Sequence, residues 1–166
     1  MLIGLTGRMG SGKDAVAAHL VEHHDFTRFA FADILKELAR DIGWDGAKDE
    51  KGRRLLQDLG HGVRQHLGDD SWVKALDRAI WRVCNPYTSR IAVSDVRYPN
   101  EVEWVRSYGG LLVRVDRPGV NRSGPEHAHP TEASIDRFQV DAVLTNDSTL
   151  GALYEKVETL LLVKVW

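Results

Sequence analysis

The residues with the clearest chemistry form a glycine-rich run near the start of the chain, Gly7-Arg8-Met9-Gly10-Ser11-Gly12-Lys13. The run fills the first seven places of the phosphate-loop pattern G-x-x-x-x-G-K-[ST], between an apolar segment and an amphipathic one. Glycines let backbone N–H groups converge on a phosphate, and the lysine can reach the β- and γ-phosphates. An ordinary glycine-rich turn does not account for all of these residues in register. The sequence therefore predicts a nucleotide-phosphate site at Gly7, Met9, Gly10, Ser11, Gly12, Lys13 and Asp14.

The eighth place of the pattern holds Asp14, where a hydroxyl residue normally ligates Mg²⁺. A carboxylate could hold the ion directly or through one of its waters. It would also place negative charge beside the phosphates, which requires a bound cation. Alternatively, Asp14 merely interacts favourably with the positive end of the helix dipole. The residues leave both interpretations open.

A second polar cluster, residues 94–101, follows the apolar tripeptide Ile91-Ala92-Val93. In open α/β sheets, ligands bind at the carboxyl edge of the strands. Asp95 could hold Mg²⁺ or its waters, and Arg97 could make a forked contact with a phosphoryl group. The competing interpretation is a capped helix start with a surface ion pair.

The elements that must position these groups alternate between strand and helix. Strands are predicted at residues 1–6, 26–31, 91–93, 111–115 and 142–145. Between them lie apolar stripes at helical spacing, including a helix that Asp33 could cap and one carrying Leu55, Leu59, Val63 and Leu67. This alternation predicts an α/β fold, with a parallel sheet of about five strands and helices on both faces.

Length and composition limit the class of protein. The chain has 166 residues, 43% of them apolar, which suits a single domain spanning 1–166. Lys and Arg number 22 against 24 Asp and Glu, which argues against a nucleic-acid partner. One cysteine, Cys84, excludes an internal disulfide, and no apolar run reaches the ~20 residues of a membrane span. We expect a cytoplasmic protein without a membrane partner, and a homodimer stays open.

Several segments together resemble the bacteriophage-type deoxynucleoside monophosphate kinases. They are residues 7–14, 31–37, 55–60, 71–74 and 95–101, with the tail residues 129–132, 141 and 145–147. The similarity runs over nearly the whole chain in order, and an aspartate at the eighth place of the loop is usual in that family. It implies a P-loop kinase fold and Mg²⁺ as cofactor. The implied reaction is transfer of the γ-phosphoryl of ATP to a deoxynucleoside 5′-monophosphate, in the host cytoplasm if the chain is phage-encoded.

Two alternatives belong beside this interpretation. Animal-type phosphomevalonate kinases are similar in a loop ending Gly12-Lys13-Asp14, in Ser94-Asp95-Val96-Arg97, in Glu103-Trp104 and in residues 132–136. A nucleotide-binding switch module is the alternative from a different class. A switch would need a guanine-specificity run such as Asn-Lys-x-Asp, which the sequence lacks.

Phosphoryl transfer needs in-line placement and cations around the developing charge. Lys13 is assigned to the donor phosphates, and Lys36, Arg64 and Arg97 to the acceptor phosphate. Gln57 and Trp72 are candidates for the base, and Asp33 for the sugar hydroxyl. The competing interpretations are solvated helix faces for Lys36 and Arg64, core packing for Trp72 and an N-cap for Asp33.

The segment 114–130 combines arginines with prolines and glycines. It is predicted to be a lid whose arginines, Arg114, Arg117 and Arg122, close over ATP and exclude water. Arg117 and Arg122 are therefore catalytic candidates together with Lys13, Asp95 and Arg97. An unstructured loop with ordinary surface arginines is the competing interpretation.

Overall fold

The computed structural model describes residues 1–47, 49–119 and 135–164. Its sheet has five strands in the order β2-β3-β1-β4-β5, and every pairing between neighbours is parallel. The strands are β1 (Leu2–Thr6), β2 (Thr27–Phe29), β3 (Ile91–Val93), β4 (Leu111–Asp116) and β5 (Ala142–Thr145). The predicted five-stranded parallel sheet is confirmed.

Helices lie between β1 and β2, between β2 and β3 and between β3 and β4, because parallel strands cannot be joined by a tight turn. The helices are α1 (Lys13–His24), α2 (Phe31–Asp41), α3 (Glu50–Leu67), α4 (Ser71–Val83), α5 (Pro99–Ser107) and α6 (Leu150–Lys164). None of the helices in the described ranges is long and apolar enough to cross a membrane.

Two apolar cores cover the two faces of the sheet, because successive strand residues point to opposite sides. On β1, Leu2 belongs to one core, whereas Ile3 and Leu5 belong to the other. The first core takes buried side chains from α4 and α5, and the second takes them from α1 and α6. Helices therefore pack on both faces, as predicted.

The topology brings three connecting segments to one edge of the sheet. Strands β3, β1 and β4 are neighbours and parallel, so their carboxyl ends meet there. Thr6, the last residue of β1, is paired with Arg114 of β4. The phosphate loop consequently lies at this edge between the segment after β3 and the segment after β4.

Local predictions fail at three places. The second strand ends at Phe29, and α2 begins at Phe31, so Asp33 lies inside the first turn and is not the N-cap. The apolar stripe predicted on α3 is not buried as a whole, because Leu55 and Leu67 are exposed. The buried residue of that helix is Gly52. Residues 114–116 of the predicted lid belong to β4, and 120–130 lie outside the described residues.

Candidate active site

The phosphate loop depends on glycine at two positions where a side chain would collide. Gly7 has φ 133°, and a Cβ there would lie 2.3 Å from the carbonyl oxygen of Val115. Gly12 has φ 110°, and its Cβ would lie 2.7 Å from the side-chain nitrogen of Asn146. That nitrogen donates to the carbonyl oxygen of Ser11 at 2.9 Å. The loop is thus in close contact with the ends of β4 and β5.

Lys13 is the first residue of α1 and is buried. Its Nζ donates to the carbonyl oxygens of Gly7 and Arg8, both at 2.7 Å, so the ammonium closes the loop from inside. The hydroxyl of Ser11 is buried with no hydrogen-bond partner among the described residues. Because a helix N-terminus attracts anions, this polar loop is suited to phosphate.

Two cavities flank the loop. The smaller cavity, about 380 Å³, lies on the β4 side and is lined by Arg8, Ser11, residues 114–119 and Asp136. The larger cavity, about 550 Å³, lies on the β2 and β3 side and is lined from the loop by Met9, Gly10, Lys13 and Asp14. The loop therefore forms a wall between two spaces, and Lys13 borders the larger one.

The larger cavity has an unusual density of charged side chains. Its basic residues are Lys13, Arg28, Lys36, Arg64 and Arg97, and its acidic residues are Asp14, Asp33, Asp95 and Glu101. The Asp33 carboxylate accepts from Arg28 at 2.7 Å and from Lys36 at 3.2 Å. Burial acts to raise the pKa of Asp33, but these two hydrogen bonds and charges lower it overall. Asp33 thus positions two cations at the cavity wall.

Arg64 is held by a buried acid. Its Nη2 donates to Oε1 of Glu101 at 2.9 Å, and its guanidinium lies over the ring of Tyr98, 3.7 Å from the ring centroid. The other Glu101 oxygen accepts from the backbone N–H of Arg97 at 2.7 Å and of Tyr98 at 3.1 Å. Desolvation, opposed by the hydrogen bond from Arg97, raises the pKa of Glu101 to about 7. Glu101 therefore fixes both Arg64 and the backbone that carries Arg97.

Asp95 joins the strand edge to the start of α2. Its two oxygens accept from the backbone N–H groups of Phe31 and Ala32, at 2.9 and 2.8 Å. These are N–H groups that a helix leaves unpaired at its first turn, so Asp95 caps α2 in place of Asp33. Burial raises the pKa of Asp95, against the effect of the two hydrogen bonds.

The oxygen-bearing side chains that line the larger cavity include Asp14, which follows Lys13 in sequence, and Ser94 and Asp95, which directly follow β3. Asp14 is exposed, whereas the Ser94 hydroxyl is buried and without a hydrogen-bond partner in the described part of the chain. Mg²⁺ prefers oxygen ligands and retains several waters. The donor set therefore fits a magnesium ion next to the phosphate loop.

The remaining predicted residues fall into two groups. Gln57, Trp72 and Arg97 line the larger cavity with Asp33, Lys36 and Arg64, so every predicted acceptor residue borders one space. Trp72 is also buried in the core and donates from Nε1 to the carbonyl oxygen of Gly60 at 3.1 Å. Arg117 lines the smaller cavity instead, and Arg122 lies outside the described residues.

Sequence reasoning missed several residues of this site. Arg28, His61, Tyr98 and Glu101 line the larger cavity, and Arg8 forms an ion pair with Asp136 at the smaller one. Glu101 stood in a segment already singled out, but nothing local indicates that it pairs with Arg64, 37 residues away. Arg28 had the signal of a basic residue in a short predicted strand that ends at the ligand edge.

Solved structures share this fold at low sequence identity. Shikimate kinase from Aquifex aeolicus superposes with a TM-score of 0.58 at 14% identity, covering 99% of this chain and 98% of that one. The protein TT1252 from Thermus thermophilus gives a TM-score of 0.55 at 18% identity, with coverage of 99% and 97%. These likenesses establish the architecture.

Proteins related in sequence identify the family more specifically than the shared fold does. A putative deoxynucleotide monophosphate kinase of Acanthamoeba polyphaga mimivirus is 27% identical, with 95% of this chain and 94% of that protein aligned. The deoxynucleotide monophosphate kinase of Escherichia phage RB69 is 34% identical over 66% of this chain and 44% of its own length. The family model described as deoxynucleotide monophosphate kinase matches residues 48–157. The chain therefore belongs to the deoxynucleotide monophosphate kinase family.

Proposed function

We propose that this nucleotide kinase transfers the γ-phosphoryl group of ATP to a deoxynucleoside 5′-monophosphate, giving ADP and the deoxynucleoside diphosphate. The observation that carries the proposal is the phosphate loop standing between two cavities, the larger of which is surrounded by five basic side chains. A monophosphate brings nearly two negative charges at neutral pH, so it needs several cations opposite the donor.

On the donor side, the loop amides and Lys13 hold the β- and γ-phosphates. Lys13 leaves the carbonyl oxygens of Gly7 and Arg8, with which it hydrogen-bonds in the structure, and pairs with phosphate oxygens. The Ser11 hydroxyl, buried and unpaired among the described residues, is available as one more donor. Arg8 and Arg117 at the smaller cavity are placed to contact the rest of ATP.

On the acceptor side, Arg97 and Arg64 bind the monophosphate. Arg64 is preorganised by Glu101 and Tyr98, so little side-chain entropy is lost when it binds. Lys36 and Arg28, which also line this cavity, are positioned by their hydrogen bonds to Asp33. Gln57 and Trp72 are proposed for the base, because an amide can pair with a base edge and an aromatic ring can stack on it.

Asp14 and Asp95, which line the larger cavity together with Ser94, would hold Mg²⁺. The ion would neutralise charge on the donor phosphates during transfer. Because Asp95 also caps α2, its replacement would disturb the start of that helix as well. The lid arginines Arg117 and Arg122 are proposed to exclude water, which would otherwise compete with the acceptor.

The test is ADP release measured with a panel of deoxynucleoside and ribonucleoside monophosphates and with phosphomevalonate. We expect rapid turnover with at least one deoxynucleoside monophosphate and slow turnover without any acceptor. Preference for phosphomevalonate, or a slow rate that no acceptor changes, would overturn the proposal. The latter is the behaviour of a switch module, which the kinase family match disfavours.

Arg64→Ala sharpens the test, with Arg54→Ala as its matched control on the same helix. Arg64 borders the larger cavity, whereas the Arg54 side chain is 83% exposed and makes a long surface pair with Asp58. We expect Arg64→Ala to raise the KM for the monophosphate about tenfold, the effect of losing one charged hydrogen bond. The KM for ATP should stay constant, and Arg54→Ala should change neither value.

A further inference from the structure

A cluster of metal-ligating side chains lies on the sheet face covered by α1 and α6. Nε2 of His19 and Nε2 of His24 lie 2.6 and 2.7 Å from the same oxygen of Glu158, Oε1. The three ligand atoms all lie within 4.8 Å of one another. None of these residues lines either cavity beside the phosphate loop.

The types of these atoms point to a transition metal. Two imidazole nitrogens and one carboxylate oxygen suit Zn²⁺, Co²⁺ or Ni²⁺, whereas Mg²⁺ prefers oxygen ligands alone. Metal–ligand bonds of about 2.0–2.2 Å separate tetrahedral ligands by about 3.3 Å. The two nitrogen–oxygen distances must therefore lengthen from 2.6 and 2.7 Å to about 3.3 Å to admit an ion, and the Glu158 side chain, 46% exposed, has the freedom to move.

One ligand is already held rigidly. The His19 ring is buried and stacks on Tyr154 of α6, with the ring centroids 4.3 Å apart and the planes 8° from parallel. Its Nδ1 is buried without a hydrogen-bond partner in the described ranges. Because metal-bound imidazoles normally donate their second N–H to an acceptor, this gap should keep the affinity moderate.

We propose that His19, His24 and Glu158 bind one divalent transition-metal ion of the Zn²⁺ class, with water completing the coordination. The ion joins the end of α1 to α6, the last helix of the described chain. Along α1, His19 and His24 lie about 9 and 16 Å from Lys13, at 1.5 Å per residue, and neither lines a cavity beside the phosphate loop. Its effect is structural: it cross-links two helices that cover one face of the sheet.

The experiment uses the full chain without a histidine tag, treated with chelator and then dialysed. Thermal unfolding is measured with ZnCl2, CoCl2 or MgCl2 added, and bound zinc is counted after equilibrium dialysis. At about a hundred times Kd, one bound ion should raise Tm by about 5–10 °C in a chain of this size. We expect one zinc per chain, and no comparable rise with magnesium.

The variants replace the two less buried ligands, His24 and Glu158, because replacing buried His19 could unfold the protein. His24→Asn combined with Glu158→Gln should abolish the zinc-dependent rise and the bound zinc. His66→Asn, which removes an exposed histidine of α3, should preserve both. A zinc-dependent rise that survives the double variant, or its absence in the original protein, would overturn the proposal.

Discussion

The two sides of the phosphate loop are built from different parts of the chain. The donor side consists mainly of backbone groups from residues 7–13, fixed by glycine conformations and by Asn146. The proposed acceptor side consists of charged side chains from β2, from the segment after β3 and from α2, α3 and α5, held in pairs such as Arg64 with Glu101. The phosphate loop itself is contiguous in sequence, whereas the acceptor side is assembled by the fold.

This difference has a consequence for substitutions. A phosphate site built from backbone N–H groups should tolerate substitution of most of its side chains. Lys13 is the exception, because its charge cannot be replaced by another group of the loop. In a cavity lined by several basic side chains, each contributes part of the attraction for the acceptor phosphate. The loss of one should therefore weaken acceptor binding or turnover by a limited factor. The predictions below test this contrast, beginning with the largest effect.

Lys13→Ala should reduce kcat by at least about 10²-fold, because it removes a charge that stabilises the transferring phosphoryl group. Steady-state kinetics with saturating ATP and monophosphate measure the loss. Lys74→Ala, on the exposed side of α4, is the control and should leave kcat unchanged. The thermal unfolding of both variants should stay close to that of the original protein. A folded Lys13→Ala enzyme with normal turnover would remove the basis of the donor side.

Arg97→Lys should reduce kcat roughly tenfold, because it keeps the charge but loses the planar fork that matches a phosphoryl group. Arg117→Ala, at the smaller cavity, should lower kcat with little change in the KM for the monophosphate. Kinetics with the monophosphate varied at saturating ATP separate the two. Equal increases in that KM for both variants would show that the donor and acceptor sides are not distinct.

The same contrast explains how much could be predicted from the sequence. The loop was predictable because its residues are consecutive and each serves a local backbone need. Strands β1 and β3 were predictable because strands buried on both faces are almost wholly apolar. The start of α2 was not, since Asp95 caps it from 63 and 64 residues away. The pair of Arg64 with Glu101 carries no local pattern either, although Glu101 stood in a segment that resembled the family.

Asp14→Asn should weaken the Mg²⁺-dependent activity, so that a several-fold higher magnesium concentration is needed to reach half of the maximal kcat. The loop amides and Lys13 attract phosphate, whereas a bare carboxylate beside them repels it unless a divalent cation lies between. ATP binding measured in chelator should consequently be unchanged or slightly tighter. Asp14→Ser should recover part of the activity, because a hydroxyl is the usual ligand at this place. If Asp14→Asn has the original magnesium titration, Asp14 serves only the helix end and Asp95 carries the ion.

The smallest predicted effect concerns Glu101, the buried acid that holds Arg64 at the larger cavity. Its pKa is raised from 4.5 in the unfolded chain to about 7 in the fold, so folding takes up a proton between these values. The stability gained from this proton is complete below the unfolded pKa and is lost as pH rises through about 7. Glu101→Gln cannot titrate, so the stability of the original protein relative to this variant should fall as pH rises.

Denaturant unfolding at pH 5.5 and pH 8 measures that relative fall, which should be on the order of 1 kcal/mol. Groups that titrate equally in both proteins cancel in the comparison. Glu103→Gln, an exposed position on α5, is the matched control and should show no such fall. A relative stability that rises with pH would mean that Arg64 outweighs desolvation and holds Glu101 ionised. In that event the acceptor side would rest on a buried ion pair, and its rigidity would increase with pH.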